Sequence, residues 1–320
     1  MAFAFVFPGQ GSQSLGMLAS LEREPAVRST FQEASAVLGY DLWRLTQAGP
    51  EMELNATENT QPAMLTAGVA LWRTWRARGG PLPSVVAGHS LGEFTALVCA
   101  GALDFSAAVG VVRLRGRAMQ EAVPPGSGAM AAVIGLDEAQ VRQACAVAAE
   151  GAVVEPVNFN APGQIVIAGE RAAVERAIEA ARKAGAKRAV ALTVSVPAHS
   201  RLMQPAAERL AVELARVTLH APRVPFVSAV DATEHGEPAE LRALLVRQLA
   251  APVRWHDTVR ALAGRGARAI IECGPGKVLT GLNRRIARGA DLVCLALEDA
   301  AAIEAALAAV RNPETVHAGE

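Results

Sequence analysis

The sequence predicts an α/β fold in which helices pack on a parallel sheet and a smaller domain is set into a larger one. Three observations predict it. Short continuous apolar runs, such as Ala2 to Phe7 and residues 84–88, alternate with longer stretches whose apolar residues recur at helical spacing. The chain is 51% hydrophobic but only 4% aromatic; its apolar content is mostly Ala, Val and Leu, which suits helices on a parallel sheet. At 320 residues it is long enough to bury a large core and to carry a second, smaller domain.

In chain order, Ala2 to Phe7 reads as a central strand. It lacks the basic flank of a signal peptide and runs straight into Phe7-Pro8-Gly9-Gln10-Gly11-Ser12-Gln13. That loop starts like a dinucleotide fingerprint, but Ser14 stands where the third glycine belongs, which excludes the motif. A plain tight loop and a loop of exposed amides near a site fit these residues equally. Residues 18–80 read as helical, with apolar spacing over Phe31 to Leu38 and Pro62 to Arg78, and Thr60-Gln61-Pro62-Ala63 as a helix start.

Residues 84–88 then lead into Gly88-His89-Ser90-Leu91-Gly92, followed by the apolar run Thr95 to Ala102. Strand, Gly-x-Ser-x-Gly and helix together form the nucleophile elbow, with Ser90 at its tip. The glycines allow a tight turn, and the Leu91 N–H at the helix start is free to bind a developing oxyanion. The alternative is a glycine-rich turn whose serine only caps the helix. The flanking strand and helix favour the nucleophile.

Val109 to Glu121 is a further amphipathic helix carrying Arg113, Arg115 and Arg117. Most arginines on a helix are solvated, but one buried beside a serine nucleophile would offer a bidentate clamp for a carboxylate. Pro124-Pro125-Gly126-Ser127-Gly128 marks a boundary. Beyond it come strand Ala129–Ile134, helix Asp137–Glu150, strands Ala152–Asn158 and Gln164–Ala168, helix Glu170–Ala184 and strand Arg188–Val194. This βαββαβ order is that of a ferredoxin-like unit, inserted in the larger domain.

The chain returns through Ser195-Val196-Pro197-Ala198-His199-Ser200 into a helix over Arg201 to Ala215. His199 thus sits at a strand–helix junction on the domain border, and it ranks first of the six histidines as a candidate base. Val224 to Val230 is read as a strand, Ala239 to Leu249 as a helix that closes at Gln248-Leu249-Ala250-Ala251-Pro252-Val253, and Arg268 to Cys273 as a strand. Gly274-Pro275-Gly276-Lys277 is not a P-loop. Arg284, Arg285 and Arg288 form a basic helix edge, either solvated or able to dock an acidic partner. Leu292 to Leu297 is the last strand, Ala300 to Val310 the last helix, and the chain frays beyond Asn312. The domains are thus expected at 1–125 with 196–312, and at 126–195, with 313–320 as a tail.

Basic and acidic residues balance at 31 each, so nothing points to nucleic acid or an anionic membrane. No apolar run approaches a membrane span. Cys99, Cys145, Cys273 and Cys294 are scattered singly in apolar segments, which fits neither a metal site nor a disulfide framework and suggests a reducing cytoplasm.

Six stretches together resemble the malonyl-CoA:acyl carrier protein transacylases. They are Phe7-Pro8-Gly9-Gln10-Gly11-Ser12-Gln13, Gly88-His89-Ser90-Leu91-Gly92-Glu93, Leu114-Arg115-Gly116-Arg117-Ala118-Met119-Gln120, Asn158-Phe159-Asn160-Ala161-Pro162-Gly163-Gln164, Val196-Pro197-Ala198-His199-Ser200 and Gln248-Leu249. The resemblance covers about Ala2 to Val310. It implies an α/β-hydrolase-like large domain with an inserted ferredoxin-like small domain. A cytoplasmic monomer with no cofactor and no metal is the default expectation beside it. The resemblance also implies the roles. Ser90 is the nucleophile and His199 its base, oriented by a backbone carbonyl near Gln248 rather than by a carboxylate. The N–H groups of Gln10 and Leu91 form the oxyanion hole. Arg115 holds the malonyl carboxylate, with Met119, Asn160 and Gln248 also on the substrate and Met119 limiting room beside the α-carbon. The partners implied are malonyl-CoA, CoA and holo acyl carrier protein, and the pathway fatty acid synthesis. A malonyl transferase of polyketide synthesis or of malonate decarboxylase shares these motifs. A serine hydrolase shares only the elbow and would need no Arg115. A carrier-binding scaffold without turnover would need neither Ser90 nor His199.

Overall fold

The computed structural model describes residues 1–194 and 196–312. The tail expected at 313–320 lies outside the described residues, as does Ser195 at the expected return to the large domain. The strands are β1 (Phe3–Phe7), β2 (Val85–Gly88), β3 (Gly128–Ile134), β4 (Val154–Ala161), β5 (Gln164–Glu170), β6 (Arg188–Ala191), β7 (Phe226–Val227), β8 (Glu234–His235), β9 (Ala269–Glu272) and β10 (Val293–Ala296). They form two sheets.

The larger sheet has the order β10-β9-β1-β2-β7-β8 and is parallel except for the antiparallel pair β7 and β8. Central β1 is buried on both faces, and the two-residue period of a strand divides its side chains. Phe3, Phe5 and Phe7 pack with Phe31 and Trp75 in one layer. The Phe5 and Trp75 rings meet edge to face with centroids 5.1 Å apart. Ala4 and Val6 face the other layer, against Trp255 and Leu262.

The smaller sheet has the order β4-β5-β3-β6 and is antiparallel. Helices Glu138–Ala149 and Arg171–Lys183 cover one of its faces through Val141, Ala144, Val174 and Ala177. Together they complete the ferredoxin-like βαββαβ unit. On the other face Met130, Val157, Val166 and Ala168 pack with Val194 and Ala198. Val253 fastens the two sheets together: its N–H donates to the Val157 carbonyl (2.8 Å) and its carbonyl accepts from the Phe159 N–H (2.9 Å). No described helix is long and apolar enough to cross a membrane. All four cysteines are free and buried, and burial pushes each thiol up.

Several elements differ from their expected bounds for local reasons. The helix expected to start at Thr60 begins at Thr57, because the Ala56 carbonyl already accepts from the Asn59 and Thr60 N–H groups (2.8 Å each). Pro62 therefore lies inside the helix, where it gives up one backbone bond. The helix expected from Val109 begins at Phe105, capped by the Asp104 carboxylate on the Ala107 N–H (2.9 Å). The strand expected over Val224 to Val230 shrinks to Phe226–Val227, because Ser228 and Ala229 turn their donors onto Glu93 (2.9 and 2.6 Å). His235 sits in β8. The helix expected to run to Leu249 gives way at Gln248 to a tighter 3₁₀ turn, Gln248–Ala250.

Candidate active site

In open α/β sheets, ligands gather at the carboxyl ends of the strands. Here β1 and β2 run parallel with Phe7 beside Gly88, so the loops leaving them lie side by side. The second is the elbow. Ser90 has φ of 54°, a strained value for a side chain larger than glycine, which lifts its hydroxyl off the sheet. The turn admits no side chain on either flank. A Cβ at Gly88 would stand 2.0 Å from the Gly92 carbonyl carbon, and one at Gly92 would stand 2.0 Å from the Phe7 carbonyl oxygen. Helix Gly92–Cys99 follows directly. The Glu93 and Phe94 N–H groups are taken by the Ser90 and Leu91 carbonyls (both 3.0 Å).

His199 reaches the same point from the far side of the chain. Its own N–H is held by the Leu249 carbonyl (3.0 Å), and its φ of 66° turns the ring inward. Nδ1 lies 2.8 Å from the Gln248 backbone oxygen, and Nε2 lies 2.8 Å from Ser90 Oγ. A carbonyl only accepts, so Nδ1 carries the proton and the Nε2 lone pair faces the serine hydroxyl. Burial, then the nearby Arg115 charge, push His199 down to about 3 from the usual 6.5. A histidine with an ordinary value is mostly protonated at pH 5, but one depressed to about 3 is neutral there. Histidine ¹⁵N spectra of the protein at pH 5, assigned with a His199→Asn variant, are therefore expected to show His199 as the neutral Nδ1–H tautomer. An imidazolium signal at pH 5 would contradict this environment.

Helix Phe105–Glu121 buries Arg115 while Arg117 stays exposed and pairs with Glu58 at 3.1 Å. Arg113 is half-buried over Tyr40. The Arg115 guanidinium donates to Gln61 Oε1 (2.9 Å), Gln248 Oε1 (2.8 Å) and, more weakly, Ser90 Oγ (3.3 Å). Its partners are neutral amides and a hydroxyl; among the described residues no carboxylate forms an ion pair with it. Desolvation lowers it to about 10, partly offset by the charge of Glu93, so it remains a cation at neutral pH. A buried cation with no directly paired counter-charge is a costly arrangement that a bound anion relieves.

A pocket of about 110 Å³ opens over these groups. Gln10, Leu91 and Met119 line it, and Met130 and Asn158 bring the uncovered face of the small sheet to its opposite wall. Among the described residues the N–H groups of Gln10 and Leu91 meet no acceptor. Met119 is buried, with Sδ 3.3 Å from Gln61 Nε2. Asn160, expected on the substrate, lies off the pocket wall with Oδ1 2.9 Å from His89 Nε2. Strict alternation would put it on the same face as Asn158, but β4 shifts register between Phe159 and Ala161, at Asn160.

The chain matches the acyl transferase domain family over residues 4–303. It is 58% identical over 306 residues to the malonyl CoA-acyl carrier protein transacylase of Salmonella typhimurium, covering 95% of this chain and 98% of that protein. This chain belongs to the malonyl CoA-acyl carrier protein transacylase family. Solved transacylases of the family share its shape. That of Coxiella burnetii aligns with a TM-score of 0.94 at 51% identity, covering 96% of this chain and 97% of that one. A malonyl-transacylase in complex with a type II PKS acyl-carrier protein aligns at 0.94 and 55% identity, covering 96% and 99%.

Two buried residues that touch this site's side chains carry no assignment from the sequence. Gln61 was visible only as part of a helix start, yet its amide spans Arg115 and Met119. Glu93 closes the elbow motif, and its carboxylate is buried against Ser228, Ala229 and Gln248. Arg284, Arg285 and Arg288 are exposed, with Arg285 Nη1 2.6 Å from Gln164 Oε1 of the small sheet.

Proposed function

We propose that the chain transfers malonyl from malonyl-CoA to the phosphopantetheine thiol of acyl carrier protein, through an ester on Ser90, for fatty acid synthesis. The observation that carries the reading is the buried Arg115 guanidinium beside the Ser90–His199 pair, hydrogen-bonded to two amides and, among the described residues, to no carboxylate. Ser90 Oγ attacks the thioester carbon as His199 Nε2 takes its proton. The oxyanion settles between the Gln10 and Leu91 N–H groups, each donor contributing roughly 3–4 kcal/mol. The C–S bond breaks, and His199 returns the proton to the CoA sulfur. The carrier thiol repeats the sequence in reverse on the ester.

The malonyl carboxylate has a second effect in this reading. By offsetting the Arg115 charge it weakens the second-largest of the influences holding His199 down, so the right donor strengthens its own base. Two features speak against an esterase: among the described residues no acidic side chain meets His199 Nδ1, and an esterase has no use for Arg115. A polyketide carrier is the second reading of the acceptor, supported by the 55% identical malonyl-transacylase solved with such a carrier.

The test is the initial-rate pattern. Reciprocal plots against malonyl-CoA at several fixed concentrations of holo carrier are expected to be parallel. Lines that intersect would mean direct transfer in a ternary complex and would remove the ester.

A further inference from the structure

Glu93 is fully buried at the start of helix Gly92–Cys99, and no step of the transfer uses it. Its Oε1 accepts from Ser228 Oγ (2.9 Å) and the Ala229 N–H (2.6 Å), and its Oε2 accepts from Gln248 Nε2. Burial pushes this carboxyl up to about 7, and the bonds from Ala229, Ser228 and Gln248 oppose that push; every one of these partners is a donor, so the geometry favours the carboxylate over the acid.

These bonds fix the sense of the Gln248 amide. Its NH₂ is committed to Glu93 and to the Ser90 carbonyl (2.9 Å), so its Oε1 faces Arg115 (2.8 Å). The backbone carbonyl of the same residue takes Nδ1–H of His199 (2.8 Å). One residue thus seats both the clamp and the base, and one buried carboxylate holds that residue.

We propose that Glu93 is a positioning residue for malonyl transfer, locking the Gln248 amide so that Arg115 and His199 keep their places. The inference rests on the reading of Ser90, His199 and Arg115 given above. The Glu93 charge also supports the Arg115 cation, which burial disfavours.

The Glu93→Gln variant keeps size and burial but offers an NH₂ where Oε2 accepts. Facing the Gln248 NH₂, it drives that amide to turn over and sets a donor against Arg115. The kcat/KM for malonyl-CoA is expected to fall by about 10- to 100-fold. The preference for malonyl-CoA over acetyl-CoA is expected to fall with it, while the melting temperature stays near that of the wild type. Glu93→Asp, which keeps the charge, is expected to retain the donor preference at a reduced rate. Adding Glu93→Gln to Gln248→Ala is expected to cost nothing beyond Gln248→Ala alone, since Glu93 acts through that side chain.

A purely structural Glu93 would slow both donors equally and add to the loss in Gln248→Ala; either result overturns the inference. If Glu93→Gln does not fold, Glu93→Asp decides, and loss of donor preference there overturns it. Wild-type protein run alongside separates the two claims: without a malonyl ester on the wild type, the reading of the site fails, and not this inference alone.

Discussion

Arg115→Ala is expected to lower kcat/KM for malonyl-CoA by about 10²- to 10³-fold, the usual consequence of deleting one partner of a buried, charge-assisted pair. The loss should be selective. Acetyl-CoA carries no carboxylate, and in the wild type it leaves the guanidinium buried without a directly paired counter-charge. Removing Arg115 also removes a positive influence that holds His199 down. The variant is therefore expected to lose malonyl transfer while acetyl transfer holds or rises, reversing the donor preference. Arg115→Lys should fall between, because an ammonium keeps the charge but cannot reach Gln61, Gln248 and a carboxylate at once. Paired measurements of kcat/KM with the two donors check this. Equal losses for both would mean that Arg115 supports the pocket without selecting the acyl group.

Ser90→Ala is expected to have the larger effect, a loss of transfer of about 10⁴-fold or more. Without Oγ no ester forms, and His199 Nε2 faces a methyl group in place of the hydroxyl 2.8 Å away. The backbone donors of Gln10 and Leu91 remain, so substrate binding should survive. KM, or a directly measured dissociation constant for malonyl-CoA, is expected to stay near the wild-type value. A weakened binding constant with substantial residual turnover would place the chemistry elsewhere.

The elbow was legible in the sequence because its requirements are local. A strand, two glycines that admit no Cβ and a serine at positive φ all fall within a few residues. The small sheet was legible for the same reason, since its elements follow one another with clear turns. What escaped was buried polarity whose partners lie far along the chain. Gln61 meets Arg115 across 54 residues, and Glu93 meets Gln248 across 155. Neither pairing has a periodicity to read. The partner of His199 is a backbone carbonyl, and every residue has one, so resemblance and not side-chain type pointed to Gln248. Glu93 also explains why β7 is short: Ser228 and Ala229 turn to a carboxylate that strand propensity does not register. Strict alternation would set Asn158 and Asn160 on one face of β4, and the register shift between Phe159 and Ala161 separates them. Their spacing alone does not tell which of them faces the cavity.

The central claim is that the malonyl group rests on Ser90 between its two carriers. Intact-protein mass spectrometry of the wild type and Ser90→Ala after mixing with malonyl-CoA, and again after adding holo acyl carrier protein, tests it most directly. The wild type is expected to gain one malonyl group, mapped to the peptide containing Ser90, and to pass it to the carrier; Ser90→Ala is expected to gain none. A malonylated carrier formed by Ser90→Ala at the wild-type rate, or a wild-type adduct mapped to another residue, would contradict the account.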